Sequence, residues 1–114
     1  MAEPAIDLAT FQALQETTGA DFVAELVDTF LAEAPAMLED LHRQLAAGNA
    51  DAFRRAAHSL KSNSHTFGAL TLGELARGLE HGGLDAARAS AAPLEALERE
   101  YARAAAALQA LRHG

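Results

Sequence analysis

Apolar residues recur at three- and four-residue steps along most of the chain, which is the period of an amphipathic helix. A short first pattern begins after Asp7, a suitable N-cap, and runs to about Thr17. A break over residues 17–21 separates it from a long pattern that ends at Gly48, a typical helix-stop residue. The apolar members of the long pattern are Val23, Leu26, Val27, Phe30, Ala34, Met37, Leu38, Leu41 and Leu45.

Proline and glycine divide the pattern further. Pro35 lies inside the long segment, where it removes a backbone donor and crowds the preceding turn, so we expect one helix with a kink near Leu31. A third helix is predicted over residues 50–67, with Gly68 as its stop. Its N-cap is either Asn49 or Asp51.

Two more helices follow the third. A fourth is predicted over residues 71–81, ending at Gly82 and Gly83. A fifth is predicted over residues 85–112, or from a later start because Pro93 would then lie in its first turn. Short connections make sequence neighbours antiparallel neighbours in space. The predicted fold is therefore all-α, a single domain over residues 1–114. Its architecture is an up-and-down antiparallel four-helix bundle with a short extra N-terminal helix.

Composition and charge narrow the classes of function. Hydrophobic residues make up 50% of the 114 residues and aromatic residues only 5%, which suits a core of closely packed helices rich in Leu and Ala. Without cysteine there is no disulfide framework and no thiolate chemistry. The net charge of −7 disfavours nucleic acid and anionic membranes as partners. No signal peptide or membrane span is apparent, so we expect a cytoplasmic protein. We also expect a monomer with a protein partner.

The third predicted helix presents a histidine-bearing ridge opposite its apolar face. At about 100° per residue, its core-facing residues fall within an arc of roughly 90°; they are Phe53, Ala57, Leu60, Ser64 and Phe67. His58 points about 140° away from the middle of that arc. The side chains within roughly 60° of His58 on this exposed side are Arg54, Lys61, Ser62 and His65.

A histidine in this position is suited to carry a phosphoryl group. Neutral imidazole is a nucleophile near pH 7, because its unperturbed pKa is about 6.5. The phosphoramidate would carry roughly two negative charges, which Lys61, one turn further on, can partly neutralise. Ser62 is small and leaves room for an incoming partner. We therefore predict that His58 is the phosphoacceptor and that Lys61 stabilises the charge of the phosphoryl group.

The sequence offers no means of drawing a phosphoryl group from ATP. It has no Gly-rich phosphate loop, no Walker lysine pattern and no acidic cluster for Mg²⁺. We therefore expect a phosphocarrier without kinase or ATPase activity of its own, and with no bound cofactor or metal. The remaining histidines are expected to be ordinary surface residues; they are His42, His81 and His113.

The segment AHSLKSNSHTFGA resembles the signature of histidine-containing phosphotransfer (HPt) domains. That signature reads His-x-Leu-Lys-(Gly or Ser), followed about ten residues after the His by a Gly that usually precedes an Ala. The matching residues are His58, Leu60, Lys61, Ser62, Gly68 and Ala69. The helix before the motif and the segment LGELARGLE after it also resemble the family, so the likeness covers about residues 8–112.

The resemblance implies a place in a phosphorelay. A domain of this family accepts a phosphoryl group on its histidine from a receiver-domain aspartate and passes it to another receiver, and the receiver contributes the Mg²⁺. The implied partners are receiver domains of response regulators or hybrid histidine kinases. The chain itself is either free-standing or part of a hybrid kinase. Within the motif Leu60 and Gly68 have structural roles. We expect the partner to dock over Ser62, Arg54, His65 and Phe22; His65 stands where the family usually has a small or neutral polar residue.

Two other classes of protein remain open at this point. One is a non-catalytic helical interaction module with a degenerate motif. The other is a metal- or cofactor-binding bundle, which would place acidic and histidine ligands inward on facing helices. Here the inward positions are apolar. His58 and His65 would also lie about 10.5 Å apart along their helix, too far for a shared zinc ion.

Overall fold

The computed structural model describes residues 4–112, and the regular structure within that range is entirely helical. The five helices in chain order are α1 (Leu8–Thr18), α2 (Ala20–Ala47), α3 (Ala50–Thr66), α4 (Leu70–Ala89) and α5 (Ala92–Arg112). The prediction of an all-α fold is confirmed. The prediction for His113 lies outside the described residues.

The helix ends follow the capping signals in the sequence. The side chain of Asp7 accepts a hydrogen bond from the backbone N–H of Thr10 at 3.1 Å and so caps α1. Asn49 caps α3 in the same way, with its Oδ1 3.1 Å from the backbone nitrogen of Ala52. Gly48 ends α2 in the left-handed conformation, with a φ of 73°. Of the two alternatives for the α3 cap, the structure therefore selects Asn49 over Asp51.

Pro35 lies inside α2, and the helix continues through it from Ala20 to Ala47. The expectation of one long helix rather than two is confirmed. The kink near Leu31 stays a prediction.

The second half of the chain departs from the predicted boundaries. The glycine pair interrupts α4 as expected, because Gly83 has a non-helical backbone with φ 72° and ψ −169°. The chain then resumes helical geometry up to Ala89, and it buries Leu84 and Ala87 against the core. The start at residue 85 is therefore wrong, and the later start, which places Pro93 in the first turn of the last helix, is confirmed. Helix α5 begins at Ala92, after an extended Ser90 whose Oγ accepts from the Ala92 backbone N–H at 3.2 Å.

Helices α2 to α5 pack around one core. Helix α3 contacts both α2 and α4, and α5 contacts both α4 and α2, while α1 lies against α2 and α3. Phe30 of α2 joins two other elements, because its ring centroid lies 5.4 Å from that of Phe67 and 6.2 Å from that of Tyr101 on α5. None of the described helices is both long enough and apolar enough to cross a membrane.

Gly68 fixes the turn between α3 and α4. It adopts a φ of 84°, and its carbonyl accepts a hydrogen bond of 2.7 Å from the backbone N–H of Asp7. A Cβ at this position would lie 2.7 Å from the Asp7 carbonyl oxygen. The segment before α1 therefore packs directly on the turn, and both the positive φ and the close approach require glycine. The turn sets the register in which α4 runs back along α3.

Candidate functional site

Helix α3 has the two faces that its sequence pattern predicts. Its core-facing side chains are buried, namely Phe53, Ala57, Leu60, Ser64 and Phe67. The hydroxyl of Ser64, the polar member of this set, donates to the Leu60 carbonyl oxygen at 2.7 Å, so its burial leaves no donor unpaired. On the opposite side, 57% of the His58 side chain is exposed. The histidine is thus held on a helix whose other face is anchored in the core.

A carboxylate from the neighbouring helix joins the two motif residues. Glu80 of α4 places Oε2 2.8 Å from Nδ1 of His58 and Oε1 3.1 Å from Nζ of Lys61. Only 19% of the Glu80 side chain and 22% of the Lys61 side chain are exposed. His58, Lys61 and Glu80 therefore form one cluster across the α3–α4 seam, with the imidazole as its most exposed member.

Glu80 is ionised in this cluster at neutral pH. The Lys61 ammonium lowers the pKa of the Glu80 carboxyl below its ordinary value of 4.5, the hydrogen bond with His58 adds to this effect, and desolvation opposes it. An ionised carboxylate can only accept hydrogen bonds, so the Nδ1 atom of neutral His58 carries the proton, and this N–H donates a hydrogen bond to Glu80. The lone pair of the neutral ring is then on Nε2, the nitrogen that does not contact Glu80.

The other predicted docking residues are arranged less uniformly. Ser62 is exposed one turn beyond His58, with no bulk beyond its hydroxymethyl group. Arg54 is exposed one turn before His58, but its guanidinium is turned to Asp51, whose Oδ1 lies 2.7 Å from Nη2. Phe22 lies in the first turn of α2 and is 48% exposed. These residues stay predicted docking residues, and Arg54 is engaged within its own helix.

His65 lies on the same ridge, two turns beyond His58, but its ring is directed into the α3–α4 seam. Its Nε2 is 3.5 Å from Oε2 of Glu74, and 39% of its side chain is exposed. A Cβ built on Gly73 would lie 2.3 Å from both Cδ2 and Nε2 of this ring, so the imidazole lies against the backbone of α4. His58 and His65 thus have separate acidic neighbours, Glu80 and Glu74.

The sequence reasoning did not identify Glu80, because that residue is on a different helix from the motif. A signal was present in the register of the helical hairpin. His58 lies ten residues before Gly68 and Glu80 lies twelve residues after it, so an antiparallel α3–α4 pair brings the two positions to the same level. This register places Glu80, a polar residue of α4, beside His58.

The described part of the chain offers no cluster of three or more His, Asp or Glu side chains that could hold a metal ion. Metal-binding helical bundles often use a Glu-x-x-His pair that projects inward. This spacing occurs from Glu39 to His42, but both residues are exposed on α2. His42 pairs with Glu98 of α5 at 3.1 Å. The buried acidic residue Glu100 is paired within its own helix, 2.7 Å from Arg103. The prediction that the domain holds no metal stays a prediction.

The fold and the cluster together define a class of protein, a small helical domain with an exposed histidine beside a lysine and a glutamate. The family model described as "Hpt domain" matches residues 25–113. The chain therefore belongs to the Hpt domain family, and the role of phosphorelay intermediate goes with that membership.

A solved structure supports the same assignment. The chain is similar to histidine-containing phosphotransfer protein B (HptB) from Pseudomonas aeruginosa PAO1, with 32% sequence identity and a TM-score of 0.88. The match covers 98% of this chain and 97% of the other. No curated protein matches the chain. The family predicted from the segment AHSLKSNSHTFGA is confirmed.

Proposed function

We propose that this chain is a phosphorelay intermediate that accepts a phosphoryl group on His58 from a receiver-domain aspartate and passes it to a second receiver. The observation that carries the assignment is the position of His58. It is the motif histidine, it is exposed on a helix anchored in the core, and its Nδ1 is held by Glu80. The scaffold we propose is an antiparallel up-and-down four-helix bundle of α2 to α5, with α1 as the short N-terminal addition.

The transfer needs no proton to enter or leave the site. The Nε2 lone pair of neutral His58 attacks the phosphorus of the receiver's aspartyl phosphate, and an N–P bond forms. The P–O bond to the aspartate breaks, and its electron pair leaves on the carboxylate oxygen. The proton on Nδ1 stays between His58 and Glu80 throughout. The reverse sequence loads the second receiver, because neutral imidazole is then the leaving group.

Lys61 supplies positive charge where the phosphoryl group arrives. Its Nζ lies 3.1 Å from Glu80 in the unphosphorylated chain, and its side chain is the next one along the same side of the helix after His58. A phosphoryl group on Nε2 brings roughly two negative charges to this ridge, with which a lysine one turn away can pair. We assign Lys61 to stabilisation of the phosphoryl charge in both directions of transfer.

The remaining chemistry belongs to the receiver. We propose that the receiver brings the Mg²⁺ and that this chain binds no cofactor and no nucleotide, since its sequence carries neither a phosphate loop nor a magnesium-binding acidic cluster. The acidic chain acts as a monomer that binds receiver domains rather than nucleic acid or membrane. Its proposed location is the cytoplasm, where ATP-dependent kinases phosphorylate receiver domains.

Transfer of label from phosphorylated receivers tests this function. The chain should be incubated with each phosphorylated receiver domain of the source organism, and the label should be acid-labile and base-stable. A His58→Gln variant should lose it. The matched control is His42→Gln, because His42 is also about half exposed, at 51%, and also pairs with a glutamate of another helix.

The two variants separate the proposed function from its alternative. Full labelling of His42→Gln together with none of His58→Gln supports a phosphorelay intermediate. If no phosphorylated receiver labels the wild-type chain, the chain is a non-catalytic interaction module with a degenerate motif. Undiminished labelling of His58→Gln would assign the phosphoryl group to another residue.

A further inference from the structure

Gly73 is a glycine that its own helix does not require. It lies in the interior of α4, is buried, and has none of the positive φ values that mark the turn glycines. Glycine inside a helix is less favourable than alanine, so a glycine at such a position usually has a packing reason. The reason here is visible on the neighbouring helix.

The imidazole of His65 occupies the space that a side chain at position 73 would fill. A Cβ on Gly73 would lie 2.3 Å from Cδ2, 2.3 Å from Nε2 and 3.2 Å from Cε1 of that ring. Carbon–carbon contacts are optimal near 3.5–4.0 Å, so the ring and a methyl group cannot both be accommodated. The ring would have to move by about 1 Å or more, and solvent lies on its exposed side, since 39% of the side chain is accessible.

The position of this ring bears on the surface beside His58. His65 lies on the same side of α3 as His58, about 10.5 Å further along the helix axis. Between them lies Ser62, exposed and small. With its ring against Gly73 and its Nε2 3.5 Å from Glu74, His65 adds little height to the ridge. A ring turned outward would instead rise from the ridge next to Ser62, where a partner must approach the His58 ring closely.

We propose that Gly73 is a positioning residue for receiver docking: it holds the His65 ring in the α3–α4 seam and thereby keeps the ridge around His58 low enough for the partner. The inference rests on the proposed function, because it assumes that a receiver docks over His58. Gly73 acts through His65, so the effect of a side chain at position 73 depends on which residue stands at position 65.

Three variants test this dependence, with the receiver that transfers fastest to the wild-type chain as the probe. Gly73→Ala should raise the receiver concentration needed for half-maximal transfer about tenfold and leave the rate at saturation within about twofold. His65→Ala, which has no ring at position 65, is the reference for the double variant. The double variant Gly73→Ala/His65→Ala should dock as well as His65→Ala alone, because the methyl group then fits the space that the ring has left.

The rescue distinguishes docking from stability. A Gly73→Ala chain that does not fold would overturn the inference, because the glycine would then be required for folding rather than for docking. Wild-type docking by a folded Gly73→Ala, or a double variant that docks more weakly than His65→Ala, would also overturn the inference and leave the proposed function intact. Absence of transfer to the wild-type chain from every receiver would instead overturn the proposed function, and the inference with it.

Discussion

Lys61 offers the sharpest quantitative test of the electrostatics at the site. We expect Lys61→Ala and Lys61→Met to slow phosphoryl transfer and to leave the fold intact. The methionine variant keeps most of the apolar stem of the side chain and removes only the charge. Lys61 is not part of the buried core, and its described charged contact is with Glu80 at 3.1 Å. Its replacement should therefore cost only the contact with Glu80 and leave a cooperative melting transition.

The magnitude follows from the contact that the ammonium group makes when the phosphoryl group arrives. A hydrogen bond to a charged group is worth about 1.5–3 kcal/mol, and every 1.4 kcal/mol corresponds to about tenfold in rate. The loss of one such contact should slow transfer roughly 10- to 150-fold. The Lys61 side chain is 22% exposed, so solvent screening of its charge is incomplete.

The assay is the initial rate of transfer from a phosphorylated receiver, measured by rapid quench over a range of receiver concentrations. Arg43→Ala is the matched control, because it removes one positive charge from α2, where Arg43 pairs with Asp40 and is 66% exposed. It reports any effect of the chain's net charge on association. A folded Lys61→Met that transfers at the wild-type rate would remove Lys61 from the site.

The remaining predictions concern the docking surface, the acidic partner and the source of the phosphoryl group. Ser62→Gly should keep transfer at a cost of about 0.5 kcal/mol in helix stability, whereas Ser62→Arg should fold and bind receivers poorly; wild-type transfer by Ser62→Arg would contradict the close-approach requirement. Because the pKa of Glu80 is lowered from 4.5, chiefly by Lys61, its ionised form stabilises the fold fully above that value, and the stabilisation is lost as the pH falls through the lower folded-state pKa. The difference in melting temperature between the wild type and Glu80→Gln should therefore shrink as the pH is lowered below 4.5, and a constant difference would refute the assignment. Pure protein should neither bind nor hydrolyse ATP, so its labelling by radioactive ATP in the absence of a kinase would contradict the carrier role.

Features set by short stretches of sequence could be predicted. The core-facing arc of α3, which includes Phe53, Leu60 and Ser64, follows from helical periodicity within one segment. The caps at Asp7 and Asn49 follow from local hydrogen bonding between neighbours in the chain. The exposure of His58 follows from the same periodicity, so the centre of the candidate site was accessible to sequence reasoning.

Features that depend on contacts between helices were missed or misplaced. Glu80 meets His58 only because the turn at Gly68 sets the register of α3 and α4, and the reach of each side chain decides which residues meet. The helical stretch after Gly83 reforms because Leu84 and Ala87 bury their side chains against the core, which outweighs the local helix-breaking signal of two glycines. In both cases tertiary packing adds information that local preference lacks.

The central claim is that one phosphoryl group is carried on Nε2 of His58. The direct measurement is ³¹P and ¹⁵N NMR of ¹⁵N-histidine-labelled chain that has been phosphorylated by a receiver, with His58→Gln used to assign the signals. The Glu80–His58 contact predicts a single phosphohistidine whose phosphorus couples to Nε2, while Nδ1 keeps its proton. Coupling to Nδ1 instead, or a phosphohistidine signal that persists in His58→Gln, would contradict the account.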